Sequence, residues 1–414
     1  MAIELTDEQL DLKRRIIHWY RHYGQGKPYY YYSGAAGTGK TTVIHSIVEE
    51  LGLKKNEYIG CAYVGKAVLV LLRHGINAST IHSLIYTPMF VTEKTVIVDE
   101  YGDPKEVRKK KMKFVLKNSL PKELKLIIVD ECAMVNDQMR NDILSFGIPV
   151  IMMGDQNQLP PVFGSSSILD FPDYVLTKIM RQAENDPIVY LSQCILNNKP
   201  IEYGMYGASQ VVSHMPIDRR VVTDYDMIIC AKNKTREQLN DRIREDVFHY
   251  HDRKPMIGDK IICRQNNWDE NLNGIYLTNG LVGNITNIDY CSMYRDVLYI
   301  DFQPDFMDES FEQLSVDYKY LKADFAEKKD FGFTELEKFE YAYAITAHLS
   351  QGSEYPRVLF MDEKFFDPET LKRLRYTAIT RARNAITYVK MEEPKKFYQT
   401  YKYNNFSYNL PVSP

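Results

Sequence analysis

Ser33-Gly34-Ala35-Ala36-Gly37-Thr38-Gly39-Lys40-Thr41-Thr42 follows an apolar aromatic run, Tyr29 to Tyr32, and precedes a helical pattern at Val43, Ile44, Ile47, Val48 and Leu51. Strand, glycine loop and helix in that order are the setting of a G-x-x-x-x-G-K-T phosphate loop. Glycines let backbone N–H groups curl around an anion without Cβ clashes, and the helix N-terminus at Lys40 to Thr42 adds its partial positive charge. That chemistry sends Lys40 to β- and γ-phosphate oxygens and gives Thr41 a Mg²⁺ ion to hold through its hydroxyl.

Working outward, Thr6 and Gln9 form a capping signal before the apolar positions Leu10, Leu12, Ile16 and Ile17. The cap alone accounts for Gln9, yet its amide can donate and accept together, so it is also a candidate reader of an adenine edge. Downstream, the apolar run Tyr58 to Val64 leads into Gly65-Lys66-Ala67, and Ser79-Thr80-Ile81-His82 continues a strand–helix alternation. This rhythm predicts a parallel sheet, whose ligands gather at the carboxyl ends of its strands.

Two Val-Asp-Glu triplets compete for the metal-and-base role. Val98-Asp99-Glu100 runs into the turn residues Tyr101-Gly102-Asp103-Pro104 and then a lysine-rich stretch, whereas Asp130-Glu131 follows the fully apolar Leu126-Ile127-Ile128-Val129. A covered parallel sheet needs the second kind of strand. Asp130 is therefore expected on Mg²⁺ and Glu131 as the water-activating base, with Asp99-Glu100 at a hairpin tip. Residues 86–120 read as a small inserted hairpin. Its lysines suit a solvated face or, next to a nucleotide motor, phosphate contact or duplex splitting.

Farther on, Gly154-Asp155-Gln156-Asn157-Gln158 closes another strand, and Arg181 follows a strand-like segment as a candidate arginine finger. A second α/β unit is expected from about Asp226. Asn273-Gly274 and Asn279-Gly280 are hairpin signals within a segment rich in short strands.

Composition sets wide bounds. With 44% hydrophobic and 26% charged residues the chain reads as an ordinary soluble globular protein of two to four domains. A net charge of −3 does not announce a nucleic-acid binder, although a local basic groove can serve one. Six cysteines with no C-x-x-C pair are expected to be reduced, without a structural metal. No membrane span is expected, and the expected location is the cytoplasm.

The order of motifs resembles the superfamily 1 helicases, in particular the 1B branch with RecD-like and bacteriophage Dda-like enzymes. The resemblance runs from Gln9 through the phosphate loop, Gly65-Lys66-Ala67, Thr80-Ile81-His82, Asp130-Glu131, Gly154 to Gln158 and Arg181-Gln182. It continues through Asn279 to Gly283, Ala347-His348-Leu349-Ser350-Gln351-Gly352-Ser353-Glu354, and Tyr376-Thr377-Ala378-Ile379-Thr380-Arg381-Ala382-Arg383. It implies an α/β fold of two RecA-like parallel-sheet motor domains, over 1–85 with 121–175 and over 176–256 with 335–414. A small β-hairpin insertion (86–120) would carry the strand-separating pin, and 257–334 an SH3-like β-barrel insertion.

ATP would sit between the motor domains, held by the phosphate loop with Gln9, Gly352 and Glu354. Gln158 would sense the γ-phosphate, while Arg181 and Arg381 would act as arginine fingers. Lys66, Thr80, His82, Thr346, His348 and Ser350 would contact single-stranded DNA. Tyr63 and Val64 depart from the proline and threonine that many relatives carry before Gly65. The implied activity is 5′-to-3′ DNA unwinding in replication, recombination or repair, by a monomer of phage or bacterial type acting at single-strand and junction DNA, with phage or host proteins as candidate partners. A protein-displacing translocase and a RecD-like subunit of a larger complex are the alternatives.

Overall fold

The first half of the chain alternates as the sequence pattern predicts: β1 (Tyr29–Gly34), β2 (Tyr58–Ala62), β3 (Ala78–Thr80), β4 (Tyr86–Val98), β5 (Pro104–Leu116), β6 (Leu126–Asp130), β7 (Val150–Gly154) and β8 (Tyr174–Leu176). Between them lie α1 (Asp7–Arg21), α2 (Lys40–Glu50), α3 (Gly65–Arg73), α4 (Ile81–Ile85) and α5 (Asp137–Leu144). This computed structural model describes residues 5–98, 104–161, 164–178, 186–272, 275–290, 296–305, 307–324, 326–331, 335–364, 367–390, 398–403 and 406–411.

Six of these strands form one all-parallel sheet in the order β3-β2-β6-β7-β1-β8. Helices cover both faces. Leu12, Ile16, Val43, Ile44 and Leu71 fill one core, and Ile81, Leu84, Met139 and Ile143 fill the other. Both β6 and β7 are buried along their whole length, which explains their unbroken apolar runs.

The second half contributes β9 (Gly204–Tyr206), β10 (Ser209–Val212), β11 (Met227–Cys230), β12 (Lys260–Cys263), β13 (Asn267–Leu272), β14 (Ile275–Leu277), β15 (Val282–Asp289), β16 (Val297–Pro304), β17 (Phe311–Asp317), β18 (Phe339–Tyr341), β19 (Ala344–Thr346), β20 (Tyr355–Met361), β21 (Ala382–Val389), β22 (Tyr398–Tyr403) and β23 (Phe406–Pro411). Its helices are α6 (Pro187–Leu196), α7 (Arg219–Asp224), α8 (Asn233–Arg242), α9 (Tyr318–Lys322) and α10 (Pro368–Thr380). A second sheet runs β19-β11-β20-β21-β10-β9, parallel except for the edge strand β9. Two parallel-sheet α/β units are thus present.

Two expectations need correction. The second α/β unit begins well before Asp226, because α6, β9 and β10 already belong to it: Ile188, Leu191, Cys194 and Val211 lie in its core. Strands of three and four residues carry too little alternation to be read from sequence. Asn279-Gly280 is not a hairpin turn either. Gly280 does take φ +91°, but β14 pairs with β13 while β15 pairs with β12 and β16, so this turn hands the chain from one sheet to another. Asn273-Gly274, between the paired β13 and β14, lies outside the described residues.

Inserted in the second unit between β11 and β19, β17-β16-β15-β12-β18 form a five-stranded antiparallel sheet with its own core of Ile261, Leu298, Ile300, Phe302 and Phe339. Gly283 is required where β15 crosses β16, since a Cβ there would lie 2.1 Å from the Gln303 carbonyl oxygen. Strands β4 and β5 pair with each other from Tyr86↔Leu116 to Val98↔Pro104; Asp99 and Glu100 lie outside the described residues. Five cysteines are free and buried; the sixth, Cys291, also lies outside. Among the described residues no helix is long and apolar enough to cross a membrane.

Candidate active site

The phosphate loop leaves β1 at Gly34 and enters α2 at Lys40. Gly37 and Gly39 take φ +81° and +76°, a left-handed backbone that side-chain-bearing residues adopt at a cost. No side chain caps α2, so no side chain takes up its first N–H groups, as an anion site needs. The Lys40 ammonium folds back onto the carbonyl oxygens of Gly34 (2.7 Å) and Ala35 (3.3 Å). A phosphate would exchange these for stronger charge-assisted bonds.

Gln9 forms the predicted capping box: Thr6 N–H donates to its Oε1 and its own N–H donates to Thr6 Oγ1. Its Nε2 also donates to the Thr38 carbonyl (3.0 Å), which ties α1 to the phosphate loop. Gln9 thus braces the loop with the amide suggested for an adenine edge, and one N–H is left over for that task.

Asp130 ends β6, two strands from β1 across β7. Glu131 follows with φ 48°, ψ 45°, a conformation that turns its side chain away from the strand direction. Asp130 Oδ1 accepts the Glu131 N–H (2.8 Å). Burial pushes the Asp130 carboxyl up to about 7, the Glu131 charge adds to this, and Lys40 opposes it. A carboxylate so short of positive charge suits a divalent ion. Among the described residues no group of three or more His, Cys, Asp or Glu is placed to hold a metal, so Mg²⁺ here would rely on Thr41, Asp130 and the phosphates of the nucleotide.

The turn after β7 joins the two halves. Its Gln156 N–H donates to Ser33 Oγ at the start of the phosphate loop (3.1 Å), and Asp155 Oδ1 accepts the Asn157 N–H (3.0 Å). From the other half, Tyr376 OH donates to Asp155 Oδ2 (2.6 Å), Thr377 Oγ1 accepts the Leu159 N–H (3.1 Å), and Arg373 donates to the Gln156 carbonyl (3.1 Å). Gln351 Nε2 donates to the Leu159 carbonyl (2.7 Å). Gln158 is buried in this turn, and its Oε1 meets no hydrogen-bond partner.

Arg381 caps α10 and is 3% exposed, donating to the carbonyls of Thr377 and Ser353 and to Thr380 Oγ1. Gly352 has φ +70° and packs against Val64, and Glu354 is exposed. Arg181 lies outside the described residues.

The six expected DNA contacts divide by exposure. Thr80 Oγ1 accepts the Ser83 N–H and Thr346 Oγ1 the Leu349 N–H, so both threonines are buried caps. Ser350 is wholly buried with its hydroxyl donating to the Ala347 carbonyl, which corrects its expected place on a DNA-facing surface: the hydroxyl shapes the turn instead. Lys66 is buried, and its ammonium meets Tyr355 OH (3.2 Å) of the second half. His82 and His348 are half-buried. Burial pulls both imidazoles below their ordinary range. Around His82 stand Tyr63, Tyr86 and Phe114 at centroid separations of 5.5, 5.6 and 5.1 Å.

Sequence reasoning gives no role to Ser33, Gln351, Tyr355, Arg373, Tyr376 or Thr377. Gln351, Tyr376 and Thr377 do fall within the helicase-like motifs, which is the signal that points at them.

An AAA-domain family model matches residues 5–214, half of the chain, and a UvrD-like helicase C-terminal domain matches residues 341–387. The ATP-dependent RecD2 DNA helicase of Deinococcus radiodurans is 26% identical over 387 residues, covering 85% of this chain and 45% of its own. The chain spans less than half the length of the curated relatives it matches. A solved structure of two coordinating Pif1 helicases at forked dsDNA has a TM-score of 0.57 at 20% identity, covering 94% of this chain and 93% of that one. Bacteroides Pif1 bound to ssDNA reaches 0.53 at 18%, with the same coverage. These structures share the fold of two RecA-like parallel-sheet halves. The chain belongs to that AAA-domain family, and its C-terminal part matches the UvrD-like helicase C-terminal domain.

Proposed function

We propose that the chain is an ATP-driven motor that moves 5′ to 3′ along single-stranded DNA and separates duplex ahead of it. The observation that carries this reading is the hold of Arg373, Tyr376, Thr377 and Gln351 on the Asp155–Leu159 turn, which itself leans on the phosphate loop through Ser33. Any change at the phosphates is felt by both halves. Hydrolysis and domain movement then become one event.

Lys40 neutralises phosphate charge, Thr41 and Asp130 hold Mg²⁺, Glu131 takes the proton of the attacking water, and Gln158 Oε1 orients it. Mg²⁺ held by Thr41 and Asp130 would supply charge neutralisation at the phosphates. Arg381 and Arg181 stabilise the charge that develops in the transition state, Arg381 after release from its carbonyl partners. Gln9, Gly352 and Glu354 border the nucleotide.

The β4–β5 ribbon is the strand-separating pin of an insertion over 86–120, and the antiparallel sheet is an SH3-like insertion over 257–334. The motor domains occupy 1–85 with 121–175 and 176–256 with 335–414. Lys66, His82 and His348 contact a single strand, with Thr80 and Thr346 positioning the histidines and Ser350 shaping the turn. The chain works as a cytoplasmic monomer at single-strand and junction DNA, in replication, recombination or repair.

ATP-dependent strand displacement on blunt, 5′-tailed and 3′-tailed duplexes, beside Lys40→Ala, tests the reading. Displacement of the 5′-tailed duplex alone, lost in the variant, is the expected result. Displacement only of the 3′-tailed duplex would overturn the polarity, and ssDNA-stimulated ATP hydrolysis without displacement would make the chain a translocase.

A further inference from the structure

We infer that Tyr376 is a positioning residue whose hydroxyl makes α10 report on the phosphate loop, so that single-stranded DNA stimulates hydrolysis through it. The inference rests on the motor reading and names a residue to which that reading gives no step of the chemistry.

The Tyr376 side chain is fully buried, yet its oxygen sits where three parts of the site converge. It donates to Asp155 Oδ2 at 2.6 Å, and the next residue of that turn, Gln156, donates its N–H to Ser33 Oγ at the start of the phosphate loop (3.1 Å). Asp155 is 0% exposed. Its other carboxylate oxygen accepts from Asn157 N–H, and its carbonyl accepts from Gln158 N–H (3.2 Å). One phenol therefore links the loop that cradles phosphate, the turn that carries Gln158, and the helix that ends in Arg381.

The link transmits direction as well as contact. Thr377, next in sequence, holds Leu159 N–H through its hydroxyl, while its carbonyl accepts from Arg381 Nε (3.1 Å). A shift of α10 against the Asp155–Leu159 turn thus carries Arg381 with it. A closure driven from the DNA side would reach Arg381 and Gln158 together only while Tyr376 binds them into one unit. A phenylalanine keeps the ring and its packing but removes the hydrogen bond to Asp155. It leaves a buried carboxylate oxygen short of a donor, which loosens the turn.

The test compares wild type and Tyr376→Phe for ATP hydrolysis with and without oligo-dT, for KM of ATP, for thermal midpoint, and for oligo-dT affinity with ADP or a non-hydrolysable ATP analogue. In the variant the stimulated kcat is expected to fall about tenfold, the worth of one hydrogen bond to a charged group expressed in the transition state. Unstimulated hydrolysis and KM should stay within about twofold, and the difference in DNA affinity between the two nucleotides should shrink.

Stimulation equal to wild type would overturn the inference, as would parallel losses of basal and stimulated rates, which mark a merely structural role. If Tyr376→Phe does not fold, Arg373→Ala removes a neighbouring, partly exposed tie to the same turn and must lower stimulation selectively in its place. A wild-type protein whose hydrolysis ignores DNA would instead sink the motor reading itself.

Discussion

Gly352 shows what a single position contributes where the two halves meet. Its φ of +70° is strained for other residues, and a Cβ there would lie 2.6 Å from Val64 Cγ2. Gly352→Ala is expected to cost about 1–2 kcal/mol in backbone strain alone and to lower ssDNA-stimulated hydrolysis more than unstimulated. Val64→Ala should restore the steric part but not the backbone part; full rescue would mean that the φ is unimportant. Glu337 is a second residue with a measurable signature. It is 3% exposed, its Oε1 accepts from Asn267, and its Oε2 meets no partner. Burial pushes its carboxyl up to about 7 from 4.5, so the folded chain binds this proton more tightly than the unfolded chain. The resulting stability is complete below 4.5 and is lost as pH rises through about 7, up to about 3 kcal/mol. Glu337→Gln should remove that slope, leaving a variant relatively more stable at pH 8 than at pH 5 in denaturant titrations. An unchanged difference at both pH values would show that Glu337 is ionised in both states. Lys40, Asp130 and Glu131 are legible in the sequence because packing alone rarely places charged residues at the ends of apolar strands. Tyr376 and Gln351 are not, since an aromatic inside a buried helix reads as core and an amide as surface until the partner across the cleft is known.

At the scale of elements the two halves repeat one device. β3 and β19 are the edge strands of their sheets. Each ends in a threonine, Thr80 or Thr346, that caps the following turn and sets a histidine two residues on, His82 or His348. Each sequence signal is a weak Thr-x-His, and only the matching sheet positions make them a pair. Because burial holds both imidazoles below their ordinary range, in the proposed DNA contact they would be uncharged at neutral pH and act by stacking or neutral hydrogen bonds. His82→Gln and His348→Gln are therefore expected to weaken ssDNA binding by about fivefold or more without changing its salt dependence. Lys66→Ala should lower the slope of log K against log salt by about 0.7 if, as proposed, Lys66 exchanges Tyr355 for a DNA phosphate. Affinity measured from pH 7 to 8.5 should stay flat. A rise on acidification through that range would mean that the histidines bind as cations. A long element with one clear period, such as α1, is legible from sequence, and so is the unbroken apolar run of β6. The short strands β9 and β10 are not, because three or four residues fix neither a face nor a partner.

Over the whole molecule, legibility follows how locally each part is determined. The parallel units announce themselves through apolar strands and strand-end motifs, whereas the path from β14 to β15 depends on which distant strand each one meets. The β4–β5 ribbon lies between these cases, for its turn residues and basic run are visible while its thirteen-residue strands and unbroken register are not. That register makes a clean dissection possible. Pro88 pairs with Phe114, so deleting residues 89–113 and joining these two through Asn-Gly keeps the base of the ribbon and the contact of Phe114 with His82. None of the hydrogen bonds that join the phosphate loop, the Asp155–Leu159 turn and α10 involves the deleted residues. The shortened chain should accordingly keep ssDNA-stimulated hydrolysis within about twofold while losing displacement of the 5′-tailed duplex, because a motor without a wedge still translocates. Hydrolysis and displacement measured on the same preparation decide the matter. Retained displacement would take the pin role away from the ribbon, and loss of both would make it part of the motor.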